Sequence, residues 1–585
     1  MGGFFKSFFA ALLALLVFTV VVVVILLVIA GGLLSPGKPE VTGKAVLVLD
    51  LSQTFREQSQ DNPLSDLGSD DEYDVPGLYD VVRLLQHAKT DSSVKGIYIK
   101  CNGDPNGFAT NEEIRHALVD FKKSGKFIYA YGEMISQKAY YVATAGDKVY
   151  CNPKGDLEWK GFASEMLYMK TALQKLEIEP QIFYAGKFKS ATEPLREDHM
   201  TDANRLQLTE LLNDLFNRVL HTTAGSRGLD TTILRKCVNE HLIAYPSDAL
   251  KYKLVDGLRY DDEVKDEIRE KLGVDKHAWV NFVSLGKYAK GVNFKATGKD
   301  KVALIYAEGD VVDGKGNKDE IGSDTYRWLV RKARFDKDVK AIVIRVNSGG
   351  GSSLASEDIW REVTLARKEK PVVISFGDVA ASGAYYLSCN ADSIFAMPGT
   401  ITGSIGVFTI IPNLQGFFKN KLGVTFDGVK TAPEADMLST VRPLTSSERV
   451  MVQGEIDTIY AAFKGRVADG RKKDVSYVDS IAQGRVWSGT TGVALGLVDR
   501  IGTLQDAIDC AARMGKTSDY QLAEYPEPKS FLERLLGTYK RTTGMKAAVK
   551  EEIGEEGYRT WIMLKKVKSM IGVTETRLPF DLTIE

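Results

Sequence analysis

Two serines stand in settings suited to attack on an acyl carbon. Ser404 lies in Gly403-Ser404-Ile405-Gly406, where flanking glycines can hold a hydroxyl exposed on a sharp turn, as a nucleophile requires. Ser382, in Ala381-Ser-Gly-Ala-Tyr385, is its rival. A serine nucleophile needs a base, usually histidine. All six histidines (His87, His116, His199, His221, His241 and His277) precede residue 278, which disfavours a Ser-His-Asp triad built locally around either serine. Lysine can serve instead when burial lowers its pKa enough to supply neutral amine, and Lys189, in Gly186-Lys-Phe-Lys-Ser-Ala-Thr-Glu-Pro194, is the candidate. The run Asn347-Ser-Gly-Gly-Gly-Ser352 follows a predicted strand, and its glycines let backbone N–H groups approach a ligand closely. It matches neither a GxGxxG dinucleotide turn nor a Gly-Lys-Ser/Thr phosphate loop.

The elements that position these residues are written twice. Val94-Lys-Gly-Ile-Tyr-Ile-Lys-Cys-Asn102 matches Val339-Lys-Ala-Ile-Val-Ile-Arg-Val-Asn347 at an offset of 245. The same offset pairs Gly132 with Gly377, Ala139-Tyr-Tyr141 with Ala384-Tyr-Tyr386, Asp147 with Asp392 and Pro153 with Pro398. Ordered matches over about a hundred positions indicate two copies of one domain, divided near Lys287–Asp300. Each copy opens on a β-branched strand (Ala45–Leu51, Val302–Ala307). Each then alternates strands such as Ala341–Val346 and Val372–Phe376 with helices such as Ser356–Lys368, which implies βαβ units and a mainly parallel sheet. The acidic stretch Gln58–Gly77 reads as a surface loop or lid.

Duplicated domains need only one set of chemical groups, so their divergence is informative. Trp159 stands where the second copy has Ser404, and Asn102-Gly-Asp-Pro-Asn-Gly107 where it has the triple glycine. Ser136 lies near the place of Ser382. Aligning Phe183 with Phe426 pairs Lys187 with Lys430 but Lys189 with Ala432. The candidate base is thus confined to one copy and Ser404 to the other.

From Ser7 to Gly37, 31 positions carry no charge, and Ala10–Ala30 is almost wholly apolar. A bilayer core needs roughly 20 apolar residues as a helix, so residues 8–34 are expected to cross a lipid bilayer as an uncleaved anchor and to export the large domain beyond it. Elsewhere the composition is that of a globular chain, with 76 Lys+Arg against 77 Asp+Glu. That balance argues against a dedicated nucleic-acid binder. Five scattered cysteines without a CxxC pair suggest neither a disulfide framework nor a zinc ribbon. Near the C-terminus, Trp561, Leu564, Val567 and Ile571 share a helical face that reads as a packing or oligomer surface.

Taken together, the anchor, the repeats, Lys-Ser-Ala-Thr-Glu-Pro194, Asn347-Ser-x-Gly-Gly351, Ala381-Ser-Gly-Ala-Tyr-Tyr386 and Thr402-Gly-Ser-Ile-Gly406 resemble the long, duplicated form of signal peptide peptidase A, a family of bacterial membrane-anchored Ser/Lys proteases. The resemblance implies an α/β chain of two tandem ClpP/crotonase-like βαβ domains after one transmembrane helix. Its expected divisions are an anchor at 1–38, a repeat supplying the lysine at 39–295, a repeat supplying the serine at 296–525 and an extension at 526–585. It implies Ser404 as nucleophile, Lys189 as general base, and an oxyanion hole drawn from Gly350, Gly351 and Gly383. Ser382, where related ClpP proteases place their nucleophile, has no histidine after it and is kept as the alternative nucleophile, with a structural or groove-lining role. No metal or cofactor is implied. The expected partners are released signal peptides, other apolar peptides and further copies of the chain in a homotetramer at the bacterial inner membrane, with the bulk of the chain periplasmic. The family usually carries Pro where this chain has Gly349, which makes that turn less rigid. Two other readings share the fold: a crotonase-type acyl-CoA enzyme and a catalytically silent membrane scaffold.

Overall fold

Two sheets that share a six-strand order account for the duplication, the second adding Ile401–Gly403 and, antiparallel to it, Val486–Ser488. The computed structural model describes residues 2–33, 43–59, 75–527 and 572–578, with single positions at 554, 557 and 561. In the first repeat, strands Gly257–Leu258, Lys148–Leu157, Phe127–Ile135, Val94–Lys100, Ala45–Asp50 and Asn281–Ser284 lie side by side, every pair parallel. In the second, Arg500–Ile501, Ser393–Ala396, Val372–Ala381, Val339–Ser348, Asp300–Glu308 and Tyr520–Tyr525 repeat that order, again all parallel. The central strands are nearly continuous apolar runs, as burial on both faces by crossover helices demands. Between them run helices such as Phe108–Lys122 and Ser353–Arg367. The α/β expectation and its strand positions hold; the runs at 302–307, 341–346 and 372–376 extend to Asp300–Glu308, Val339–Ser348 and Val372–Ala381, while the first strand stops one residue early, at Asp50.

The repeats are packed into each other. One apolar cluster joins Phe55, Leu78 and Leu85 of the first repeat to Val302, Leu304, Val343 and Ile508 of the second. Within the contact lies a buried ion cluster. Arg345, on the central strand of the second repeat, is fully buried and pairs with Glu57 at 2.7 Å and Glu113 at 2.6 Å from the first. It also donates to Ser375 Oγ and the Phe376 carbonyl. Burial pushes the Glu57 carboxyl up to about 7, against the pull of Arg345. Nearby, Asp378 accepts from the Thr110 N–H and hydroxyl, and Glu112 accepts the Gly399 N–H.

A third sheet is shared. Its strands run Glu320–Gly322, Asp310–Val312, Gly350–Ser352, Glu575–Arg577, Val407–Asn413 and Glu179–Ala185, so the first repeat, the second repeat and the C-terminal segment all contribute. Antiparallel pairing of 179–185 with 407–413 runs unbroken from Ala185↔Val407 to Glu179↔Asn413.

At the N-terminus, Gly2–Leu33 forms a helix, with side chains described at 3 and 7–22. Among the described residues no helix is long and apolar enough to cross a membrane. The sixteen consecutive positions whose side chains are described, 7–22, reach about 24 Å, short of a bilayer core of about 30 Å. The span expected over 8–34 therefore runs past the described side chains, which end at 22, and past the last described residue of the helix, Leu33. Most of the acidic loop, the helical face at Leu564, Val567 and Ile571, and most of the extension also lie outside them.

Removing Arg345 leaves two buried carboxylates without a counter-ion. Arg345→Met is expected to lower stability by about 3–5 kcal/mol, read as an earlier urea unfolding midpoint. A buried carboxyl with a raised pKa favours the folded state more as pH falls through that pKa. The deficit should therefore shrink between about pH 8 and pH 5, and should shrink at neutral pH when Glu57→Gln and Glu113→Gln are added.

Candidate active site

The shared sheet brings the base candidate to both serines. Lys189 lies four residues after Ala185 and Ser404 three before Val407, so the Ala185↔Val407 register sets them side by side. Lys189 Nζ is 2.8 Å from Ser382 Oγ, 3.1 Å from Ser404 Oγ and 3.2 Å from the Ser404 carbonyl oxygen. It also donates to the Arg577 carbonyl. All three side chains are fully buried. Lys189, Ser404, Ser382, Gly350, Gly351 and Gly383 thus fall in one place, although Lys189 is 193 residues from the nearer serine.

Local packing explains how a lysine comes to be held there. Strand Glu179–Ala185 ends in a turn at Gly186 (φ 104°), and a short 3₁₀ turn, Ser190–Thr192, begins immediately after Lys189. The Phe188 N–H donates to the Gln483 carbonyl, and Gln207 Nε2 donates to the Phe188 carbonyl and Ser190 Oγ. Two glycines make room for the lysine stem. A Cβ on Gly406 would lie 3.1 Å from Lys189 Cδ, and one on Gly484 2.7 Å from Lys189 Cβ. The second glycine of Gly-Ser-x-Gly is therefore required by close packing on the Gly484 and Ala185 backbone, with the lysine stem beside them. Burial drives the Lys189 pKa well below its ordinary 10.5, with only partial opposition from Glu575. Among the described residues no carboxylate forms an ion pair with it, so burial shifts the balance toward the neutral amine.

The two serines differ in backbone. Ser382 (φ 56°, ψ −116°) stands between strand Val372–Ala381 and helix Gly383–Ser388. A positive φ at a non-glycine residue on a strand-to-helix corner is costly, and it lifts the side chain off the corner as in a nucleophile elbow. Ser404 (φ 49°) comes directly after strand Ile401–Gly403, and its N–H donates to the Arg485 carbonyl. In the first repeat the corresponding corner is relaxed: Ser136 caps helix Gln137–Ala143 at φ −68°, with its hydroxyl accepting from Ala139 N–H. Trp159 there is buried and donates to the Leu234 carbonyl.

The glycine run lines the same place. Gly350 has φ 96°, and a Cβ there would lie 2.6 Å from the Gly383 amide nitrogen. The Gly350 N–H donates to Ser348 Oγ. Gly349 is outside the left-handed region, and its carbonyl accepts from the Leu578 N–H. The chemistry available is nucleophilic: a hydroxyl on a strained corner, a buried amine in hydrogen-bond reach, and backbone N–H groups beside them. Among the described residues no group of three or more His, Cys, Asp or Glu is placed to hold a metal ion. The sequence reading missed the C-terminal strand Glu575–Arg577, which joins the site by main-chain pairing and carries no motif.

Residues 120–275 and 364–518 each match the family model described as Peptidase family S49, the two matches starting 244 positions apart. Protease 4 of Salmonella typhi is 35% identical over 88% of this chain and 85% of its own. The chloroplastic serine protease SPPA of Arabidopsis thaliana is 32% identical over 77% of this chain and 68% of its own. A putative signal peptide peptidase SppA of Enterococcus faecium is 32% identical over 43% of this chain and 75% of its own.

Because the amine must be neutral to take a proton, labelling by a serine-reactive phosphonate should quicken as pH rises. The ascending limb is expected at a midpoint well below the ordinary lysine value of 10.5. Lys189→Met should lose both the labelling and its pH dependence while keeping the native circular dichroism spectrum.

Proposed function

The chain belongs to peptidase family S49, as a serine protease with two family repeats, and from that premise we propose a Ser/Lys mechanism centred on Ser382. The observation that carries this reading is a fully buried amine 2.8 Å from a hydroxyl on a strained strand-to-helix corner. Neutral Lys189 accepts the Ser382 proton as Oγ attacks the peptide carbonyl. The Gly383 N–H, next after the nucleophile, and the Gly351 N–H stabilise the oxyanion, while Gly350 gives the room that their approach needs. Lys189 then passes the proton to the leaving amine, and water cleaves the acyl-enzyme by the reverse route.

This departs from the sequence expectation of Ser404 as nucleophile. The lack of a histidine after Ser382 counts against it in the sequence, but Lys189 reaches both serines. Ser404 is proposed instead to position the amine. Its carbonyl and hydroxyl oxygens, at 3.2 and 3.1 Å, can take the two N–H bonds of a neutral amine and leave the lone pair facing Ser382. Membership of a peptidase family does not favour the acyl-CoA or scaffold readings.

The proposed substrates are released signal peptides and other apolar peptides, in keeping with the resemblance and with the name of the Enterococcus relative. The uncharged run 7–37 is proposed as a single-pass anchor in a bacterial inner membrane, with the ClpP/crotonase-like repeats outside the cytoplasm. The division at 38, 295 and 525 goes with this reading.

Assembly has its own support. The strand pair 179–185 with 407–413 joins repeat one to repeat two. The equivalent segments are 422–428 in repeat two and 162–168 in repeat one. In 422–428, Val424 and Phe426 are exposed where their counterparts Gln181 and Phe183 are buried; in 162–168, Leu167 is exposed. Pairing 422–428 of one copy with 162–168 of the next repeats the internal contact between chains, a head-to-tail arrangement that closes into a ring, here proposed as the homotetramer.

Ser382→Ala should lower kcat by a factor on the order of 10⁴ or more, with the phosphonate adduct of the wild type on Ser382. Ser404→Ala should keep measurable turnover, with its pH profile displaced. An adduct on Ser404 would reverse the two roles. Phe426→Glu should shift the light-scattering mass of the detergent-solubilised protein toward the single chain.

A further inference from the structure

The parallel sheet of the first repeat has one edge at which all its strands begin, and the chain enters the repeat there from its N-terminal run. Ala45, two residues after Gly43, is level with Val94 on one side and Asn281 on the other. Gly96 is level with Phe127, and Tyr129 with Lys148. Lys44 Nζ donates to the Leu272 carbonyl at 2.5 Å and the Gly273 carbonyl at 3.4 Å, which ties the start of the first strand to the end of helix Asp261–Leu272. From the last position of the uncharged run, Gly37, to Gly43 is six residues, at most about 22 Å of extended chain. Whatever holds the run 7–37 therefore holds this edge close to it.

Trp279 stands on the same edge, two residues before Asn281, and is 95% exposed. Its loop is fixed: the Ala278 carbonyl accepts from Arg269 Nε, the Ala278 N–H donates to the Asp275 carbonyl, and Asp275 Oδ1 accepts the His277 N–H. An indole displayed on a fixed turn suits the headgroup level of a bilayer, where its ring finds apolar surroundings while its N–H stays wet. The edge around it is rich in lysine. Among the described residues Lys44, Lys95, Lys126, Lys148, Lys271 and Lys276 pair with no carboxylate, whereas Asp120 and Asp147 are already taken by Lys89, Lys123 and Lys122. Only Asp91, Glu270 and Asp275 stand there without a basic partner, so positive charge is in excess.

Resting on the anchor proposed above, we infer that this edge of the first repeat is a lipid-contact surface. Trp279 enters the interface of the bilayer that holds the anchor, and the lysines lie over anionic headgroups. The occupant is a lipid surface because the chain's own N-terminal run delivers the edge to a bilayer. A second copy meeting it through the same edge would set unpaired lysines against each other. Docked in this way, the far edge of the sheet stands about 30 Å away, the length of the nine-residue strand Phe127–Ile135, and faces away from the lipid.

The test uses the full chain in vesicles of phosphatidylcholine with and without phosphatidylglycerol. The native cysteines are buried, so Trp279→Cys and Met134→Cys each offer one exposed thiol for bimane, an apolar ring that takes the place of the indole. Met134, 59% exposed near the far end of its strand, is the reference position. Brominated lipid should quench the label at 279 and spare the one at 134, and aqueous iodide should do the reverse. Adding Lys95→Gln and Lys148→Gln should lower the docked-to-undocked ratio, read from quenching at 279, about fivefold for each lysine. That loss should appear only with phosphatidylglycerol, and high salt should reproduce it. A chain that leaves the vesicles in alkaline carbonate would overturn the anchor and this inference with it. A chain that stays while iodide reaches 279 as freely as 134 would overturn the inference alone. A label at 279 closed to both quenchers would also overturn it, by showing that protein covers Trp279.

Discussion

The site depends on an amine kept out of water without a counter-ion. A buried lysine usually acquires a carboxylate or reaches solvent, because an unpaired charge in a protein interior is costly. Lys189 does neither; its near neighbours are hydroxyl and carbonyl oxygens, and the carboxylate that acts on it most, Glu575, is itself held by Arg577. The cost is relieved by losing the proton, and a neutral amine at ordinary pH is what a general base requires. Much of the surrounding structure enforces that burial. Gly406 and Gly484 give the stem room, Gln207 fixes the turn, and the shared sheet brings the amine between the serines.

That constraint gives the duplication its functional meaning. A single repeat builds a parallel sheet with a corner for a serine, but the lysine arrives on a strand that crosses to the other repeat. The amine and the two serines are therefore aligned only while the repeats are docked, and the docking rests on a broad apolar contact with Arg345 buried among Glu57 and Glu113. Such an ion cluster adds little net stability over apolar packing, but removing one partner leaves charge buried and unpaired. Each repeat could then shed what the other supplied. The first relaxed its corner at Ser136 and filled the place of Ser404 with Trp159. The second has alanine where the lysine would stand.

A good part of this was legible before any coordinates. The offset of 245 appears in the sheets as a shared six-strand order, because apolar runs of strand length admit few other uses. Lys189 and the glycine run were legible as candidates because their residue types are rare in such settings. The choice between Ser382 and Ser404 was not legible. Both sit beside glycine and both have a positive φ; what separates them is that Ser382 stands on a strand-to-helix corner, closest to the amine, a property of the local backbone path. The tail strand was equally hidden. Glu575–Arg577 contributes mainly through its main chain, which every residue possesses, so Thr-Glu-Thr-Arg-Leu carries no recognisable pattern.

By itself, then, the sequence determined the repeat, the α/β alternation, the uncharged N-terminal run and the short roster of reactive residues. Each of these comes from local periodicity, composition or self-similarity. Only the tertiary structure decided which serine stands on the strained corner, how a lysine 193 residues away comes within 2.8 Å of it, and what lies over them both. Those outcomes depend on long-range strand register and on the exclusion of water from one amine, neither of which any stretch of neighbouring residues encodes.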